Sequence, residues 1–187
     1  LDESTARWFV LGQGTTFAPH SPDMLGGSSW DAVSRARVLE RATSNGRNLI
    51  VVTGDIHRAE ALDIVADPSA YDGATGAGSV GVEFSTGSIT SPGGSTDTSG
   101  PQFHWADGSH RTFLLLTLTP ELAQADFIGF AEFQQYRSQE PYQRLVRSFR
   151  VEVDSRHAVE SEDAAAAGSS PPPFAPPEPP PYPYDEV

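Results

Sequence analysis

The sequence has 187 residues and a formal net charge of −13, with 25 acidic residues against 12 basic ones, all of them arginine. So acidic a chain is not expected to bind nucleic acid or an anionic membrane through its overall charge. The absence of cysteine excludes disulfide bonds and thiolate metal ligands within the chain. No apolar run reaches the roughly 20 residues of a membrane-spanning helix.

The first part of the chain predicts a strand–helix–strand unit. An apolar run over residues 7–13 is typical of a strand, and the Gly-, Ser- and Thr-rich residues 14–29 predict a long loop. Apolar residues then recur on one face until a glycine that favours a helix end, so a helix is expected over about residues 29–46. The β-branched run at residues 48–53 predicts a buried strand, which completes a βαβ-like unit.

Directly after this strand come Gly54, Asp55 and His57. In open α/β sheets, chemically active groups lie just beyond the carboxyl ends of the strands. Gly54 permits a sharp turn, after which a carboxylate and an imidazole two residues apart can reach one metal ion. The alternative is that Asp55 caps a following helix and His57 is only solvated. His20, in the preceding loop, is not expected to be a metal ligand.

The next segments leave two structural questions open. Residues 57–65 fit a helix or a strand equally well, whereas residues 79–85 predict a strand that contains Glu83. A carboxylate inside an apolar strand needs a partner. Glu83 therefore indicates either a polar network beneath the site or an edge strand.

The second half of the chain predicts an antiparallel sheet. Strands are expected at residues 112–119, 123–133 and 148–153, with a helical turn or a loop at residues 136–147. The composition then changes, and 9 of the last 17 residues are proline. We therefore expect one domain over residues 1–155 and an acidic, proline-rich extended tail over residues 156–187, which either docks on a partner surface or acts as a linker.

Several motifs occur together in a fixed order. They are residues 7–13, 29–31 with 35–37, Thr53-Gly54-Asp55-Ile56-His57, Val82-Glu83-Phe84, Ser88-Ile89-Thr90-Ser91 and Phe103-His104. Over about residues 5–155 they resemble the carboxyl-terminal half of the PhoD-like alkaline phosphatases and phosphodiesterases, which belong to the metallophosphatase (calcineurin-like) superfamily. The resemblance implies an α/β fold: half of a four-layer αββα sandwich, completed by a missing amino-terminal half or a partner chain.

The resemblance also implies a function and a site. Members of the family hydrolyse phosphate mono- or diesters with metal-activated water at a multinuclear metal centre. Iron and calcium are the expected metals, and zinc or manganese are alternatives. Asp55 and His57 fall on the metal ligands of the family's Gly-Asp-x-His motif. His104 falls near a histidine of the family's Asn-Pro-His segment, which implies either a catalytic, substrate-facing role or a supporting role behind the metal ligands, although Gln102-Phe103 precedes it here. The family is typically exported, which implies a secreted or periplasmic protein.

Other polar residues near these motifs leave alternatives open. Arg58 either contacts the substrate phosphate or forms a solvated ion pair. Thr90 and Ser91 either orient the site by hydrogen bonding or form a turn before Pro92-Gly93.

Two ligands alone do not make a catalytic metal site, which needs at least three protein ligands per metal. The chain starts at Leu1-Asp2-Glu3 without methionine, so we expect it to begin inside a longer gene product. The amino-terminal half of the same enzyme is expected as a separate partner chain, without which this chain is inactive. The alternative is a non-catalytic scaffolding subunit that retains the metallophosphatase fold.

Overall fold

The computed structural model describes residues 5–44, 46–96, 98–132 and 144–162, which form an α/β fold rich in strands. No helix within these residues is long and apolar enough to cross a membrane. The elements in chain order are β1 Trp8–Gly12, α1 Ala32–Ser44, β2 Asn48–Thr53, β3 Ala59–Val65, a 3-10 turn Pro68–Ala70, β4 Ser79–Ser85, β5 Phe103–Asp107, β6 His110–Leu118, β7 Leu122–Glu132, β8 Arg144–Glu152 and β9 Val159–Ser161.

The first sheet has the strand order β1-β2-β4-β3-β5. Strands β1, β2 and β4 are parallel, whereas β3 and β5 are antiparallel to their neighbours. Helix α1 connects β1 to β2, which confirms the predicted βαβ unit. Asp31 caps this helix by accepting hydrogen bonds from the backbone N–H groups of Val33 and Ser34 at 3.1 and 2.9 Å.

The structure answers both questions left open in this region. Residues 59–65 form β3, and all seven are buried because both faces of the strand are covered. A strand buried on both faces shows no simple alternation of polar and apolar residues, which is why the sequence pattern was ambiguous. Glu83 lies on β4, between β2 and β3. The edge-strand interpretation of Glu83 is therefore wrong.

The second sheet has the order β6-β7-β8-β9 and is antiparallel throughout, as predicted. Of the segment predicted as a turn or loop, residues 144–147 belong to β8, and residues 136–143 lie outside the described residues. Pairing of β9 with β8 extends the folded body to at least Ser161, past the predicted boundary at residue 155. The proline-rich residues 163–187 also lie outside the described part, so the division into domain and tail stays a prediction.

Two apolar clusters hold three layers together. One lies between the sheets, where Phe84, Phe127 and Phe149 are fully or almost fully buried. The other lies between the first sheet and α1, with Leu39 and Ala42 of the helix packed against the sheet. Burying such side chains contributes about 1.5–3 kcal/mol each. The described residues thus form three layers: helix α1, the first sheet and the second sheet.

Candidate functional site

The segment from Gly54 to Arg58 emerges at the carboxyl end of β2, as predicted. Asp55 and His57 are both exposed, and both have left-handed backbone conformations, with φ angles of 75° and 59°. Such angles are uncommon for residues other than glycine. Holding a residue in such a conformation costs on the order of 1–3 kcal/mol, and residues of this kind concentrate at functional sites. The segment therefore presents a carboxylate and an imidazole to solvent in an imposed conformation.

Neighbouring residues hold this segment in place. The N–H of Gly94 donates to the carbonyl of His57 at 2.8 Å, and a Cβ on Gly94 would collide with the carbonyl oxygen of Ile56. Arg58 donates from Nε to Glu60 Oε2 at 2.7 Å and from its other end to the carbonyl of Ser95. Arg58 thus forms an ion pair, as one of its two interpretations expected, although the pair is largely buried.

A polar network lies beneath the segment, centred on the fully buried Glu83. Its carboxylate accepts hydrogen bonds from the N–H groups of Phe17 and Ala18 at 3.0 and 2.6 Å, and from Thr53 Oγ1 at 2.8 Å. Burial raises the pKa of Glu83 above its ordinary value, against the effect of these three donors. The polar-network interpretation of Glu83 is confirmed, and the long loop is tied to the sheet by this carboxylate.

Glu60 forms a second buried centre at the same end of the sheet. His20 Nε2 bonds to the Glu60 carboxylate, and His20 Nδ1 lies 3.0 Å from the carbonyl of Ala18. Burial would lower the pKa of His20, but the hydrogen bond and negative charge of Glu60 outweigh it and raise that pKa. His20 and Arg58 therefore both pair with this buried carboxylate. The sequence did not single out Glu60, because the strand that carries it was ambiguous.

His104 lies in a different part of the first sheet. Ala61 pairs with Trp105 and Leu62 with Phe103, so His104 is the extra residue of a β-bulge on β5. Bulges re-aim side chains, and the ring of His104 lies against Asp63, with Nε2 3.0 Å from Oδ1.

The strand register gives the distance of His104 from the carboxyl end of β2. Asp63 pairs with Val82, three residues further along the strands than the Glu60–Ser85 pair. Three residues correspond to about 10 Å along a strand. The ring of His104 is therefore well separated from the level at which Asp55 and His57 emerge.

Asp63 is the centre of the polar group that contains His104. Its buried carboxylate accepts hydrogen bonds from the Tyr71 hydroxyl at 3.0 Å, the Ala158 N–H at 3.1 Å and His157 Nδ1 at 2.7 Å. Burial and the Asp63 charge raise the pKa of Tyr71 above its ordinary value. The rings of His104 and His157 lie edge to face, with centroids 5.0 Å apart. Ligand atoms of Asp63, His104 and His157 all lie within 4.8 Å of one another, the one such group of three found in the described residues.

The structure therefore separates the predicted site residues. Asp55 and His57 belong to no group of three potential ligands within the described part of the chain, and their metal ligation stays a prediction. The segment at Thr90 and Ser91 shows turn chemistry, because the Ser91 N–H donates to Ser88 Oγ at 2.7 Å. Arg111 donates to the carbonyl of Thr90 at 3.3 Å.

Residues 1–140 match the family described as PhoD-like phosphatase. A solved structure titled "Structure of PhoD" is similar to this chain, with a TM-score of 0.69 and 25% sequence identity, over 89% of this chain and 34% of that one. The chain thus spans about a third of the length of that protein. No match was found among curated proteins.

Proposed function

This chain belongs to the PhoD-like phosphatase family, and we propose from this premise that it forms part of a metal-dependent phosphatase. The observation that carries the proposal is the conformation of the Asp55–His57 segment. Two potential ligands emerge side by side from the end of a buried parallel strand, both exposed and both held at positive φ. Backbone conformations of this kind concentrate at functional sites, and here they set a carboxylate and an imidazole two residues apart.

The donor set of this segment fits a metal centre in part. The carboxylate of Asp55 suits a hard cation, and the imidazole of His57 suits iron or zinc. When bound, the metals would activate a water and neutralise charge on the phosphoryl oxygens. The role of this chain is to hold its two ligands rigidly. Arg58 supports that role by tying the segment to Glu60 and Ser95, so it is a positioning residue.

The remaining parts of the enzyme are also proposals. A closed site needs at least one further protein ligand per metal, which we assign to the amino-terminal half of the same enzyme, present as a separate chain. Iron and calcium are the proposed metals, with zinc or manganese as alternatives, and phosphate mono- or diesters are the proposed substrates. The fourth layer of the sandwich would come from the same partner. We propose a secreted or periplasmic location.

We assign His104 no catalytic role in this enzyme. Its ring lies against Asp63 rather than at the carboxyl end of β2, and the strand spacing puts about 10 Å between the two levels.

The proposal is tested on the protein isolated from its source together with any bound partner. Its metal content is measured by elemental analysis, and its hydrolysis of p-nitrophenyl phosphate and bis-p-nitrophenyl phosphate is assayed beside the chain expressed alone. We expect iron or another transition metal and hydrolysis in the isolated protein only. Asp55→Asn and His57→Asn should lower hydrolysis by at least about 100-fold, because even the loss of a residue that merely supports a ligand costs about 10–100-fold.

Asp154→Asn is a matched control, because Asp154 is also exposed and also has a positive φ, of 69°. Asparagine tolerates that conformation, so this variant should keep both metal and activity. An isolated protein with neither metal nor hydrolysis would overturn the proposal and favour the scaffolding subunit. Equal activity in the Asp55 and Asp154 variants would remove Asp55 from the site.

A further inference from the structure

We propose that Asp63, His104 and His157 bind one divalent first-row transition-metal ion, which fastens β3 and β5 to the segment that precedes β9. The group is built from three places far apart in the chain, and 94 residues separate Asp63 from His157. It uses neither Asp55 nor His57. The inference therefore does not depend on the proposed phosphatase function.

The buried charge of Asp63 requires compensation. Its side chain is fully buried, and no arginine among the described residues pairs with it. A buried carboxylate without a positive partner is costly. The neighbours that donate to it through Tyr71 and the Ala158 N–H are neutral. The compensating charge must come from the two imidazoles or from an ion bound between them and the carboxylate.

His104 has a ring nitrogen without a hydrogen-bond partner among the described residues. Its Nε2 is buried and forms no hydrogen bond with the described residues, although Asp63 Oδ1 is only 3.0 Å away. The ring nitrogen is close to the oxygen but is not directed at it as a hydrogen bond requires. Buried polar atoms are rarely left without a hydrogen-bond partner, so this nitrogen needs an explanation. A metal ion beside the carboxylate, bound by the lone pair of His104 Nε2, explains it.

The ligand atoms of the three side chains lie close to the spacing that one metal ion requires. Two ligand atoms bound to one tetrahedral zinc ion at about 2.0–2.1 Å lie roughly 3.4 Å apart. The distances here are 3.0 Å from His104 Nε2 to Asp63 Oδ1 and 2.7 Å from His157 Nδ1 to Asp63 Oδ2, so these atoms would separate by about 0.4–0.7 Å to admit an ion. The bulge aims His104, and the close contact of Gly76 with the ring fixes His157. Tyr71 and Ala158 orient the carboxylate from outside, as partners of metal ligands commonly do.

The donor set selects the class of ion. Two imidazoles with one carboxylate suit iron(II), cobalt, nickel or zinc. Calcium and magnesium prefer six or more oxygen ligands, which this group does not offer. Binding requires neutral imidazoles, so His157 must release its Nδ1 proton or carry its proton on Nε2. Three protein ligands leave a fourth coordination position for water. Because His157 lies just before β9 of the second sheet, the bound ion links the two sheets.

The test uses the full chain, freed of metal with a chelator. Cobalt(II) is titrated and followed by its visible absorption, and zinc(II) is titrated by equilibrium dialysis with elemental analysis. We expect one tightly bound equivalent in the wild type and in His57→Asn, and affinity at least about 100-fold weaker in His104→Gln and His157→Gln. His110→Gln is the matched control: its ring pairs with Asp107 at 2.5 Å and its side chain is 15% exposed, as are those of His104 and His157.

Two results would overturn the inference. The first is a wild type that binds neither ion, which would assign the compensating charge to a protonated imidazole. The second is unchanged affinity in the His104 and His157 variants. If those variants fail to fold, the wild type decides alone: zinc should shift the ring NMR signals of two histidines and raise the melting temperature. Zinc that leaves both unchanged would equally overturn the inference.

Discussion

Replacing Glu83 by glutamine is expected to lower the free energy of unfolding by about 1–3 kcal/mol. The carboxylate accepts from Phe17 N–H and Thr53 Oγ1 through Oε1, and from Ala18 N–H through Oε2. Glutamine has one oxygen and one amide nitrogen. Glutamine keeps the larger number of hydrogen bonds when its oxygen occupies the Oε1 position, where two donors converge. Its amide nitrogen then faces the N–H of Ala18, which loses its acceptor.

The magnitude follows from that one stranded donor. A buried N–H without an acceptor costs about 1–3 kcal/mol, and the two remaining hydrogen bonds lose the strength that a charged acceptor gives. Removing a buried charge offsets part of this loss. With a typical urea dependence of about 2 kcal/mol/M, the unfolding midpoint should fall by about 0.5–1.5 M.

Hydrogen exchange gives a sharper readout than the midpoint. In Glu83→Gln the amide of Ala18 should exchange at least about tenfold faster, whereas that of Phe17 should stay protected. Glu40→Gln, on the exposed face of α1, is the control and should change the free energy of unfolding by less than about 0.5 kcal/mol. An unchanged Ala18 exchange rate, together with a midpoint equal to that of the control, would refute the assignment of Glu83 as the anchor of the loop.

Two further predictions concern the support of the Asp55–His57 segment. The pKa of His20 is raised in the folded protein, so its pairing with Glu60 stabilises the fold fully below the ordinary value of 6.5 and is lost as the pH rises through the raised pKa. Urea midpoints measured between about pH 6 and 9 should fall with pH, and His20→Gln should flatten that fall; equal slopes would contradict the pairing. Gly94→Ala would force a methyl group against the carbonyl of Ile56 and should cost about 1–3 kcal/mol in urea unfolding. Gly14→Ala, where nothing lies within 4 Å of the added carbon, should cost much less, and equal costs would show that the close approach is unimportant.

Much of the local structure could be predicted from the sequence. The strands at residues 48–53 and 79–85, the βαβ unit and the antiparallel second half are each encoded by nearby residues, through hydrophobic periodicity and turn composition. The Gly-Asp-x-His motif was placed correctly at the end of a buried strand for the same reason. The need of Glu83 for a buried partner also followed from the strand around it, because an unpaired carboxylate cannot be buried cheaply.

Only the tertiary structure decided which side chains meet. Two of the three donors to Glu83 lie 65 and 66 residues away in a loop without regular structure, and no periodicity predicts that approach. Strand β3 was ambiguous because an apolar cluster covers each of its two faces, which removes the alternation by which strands are recognised. His104 reached Asp63 and His157 through a β-bulge and a contact between the sheets. Strand register and bulges arise from packing across the whole domain, so a motif read along the chain could locate His104 but not its partners.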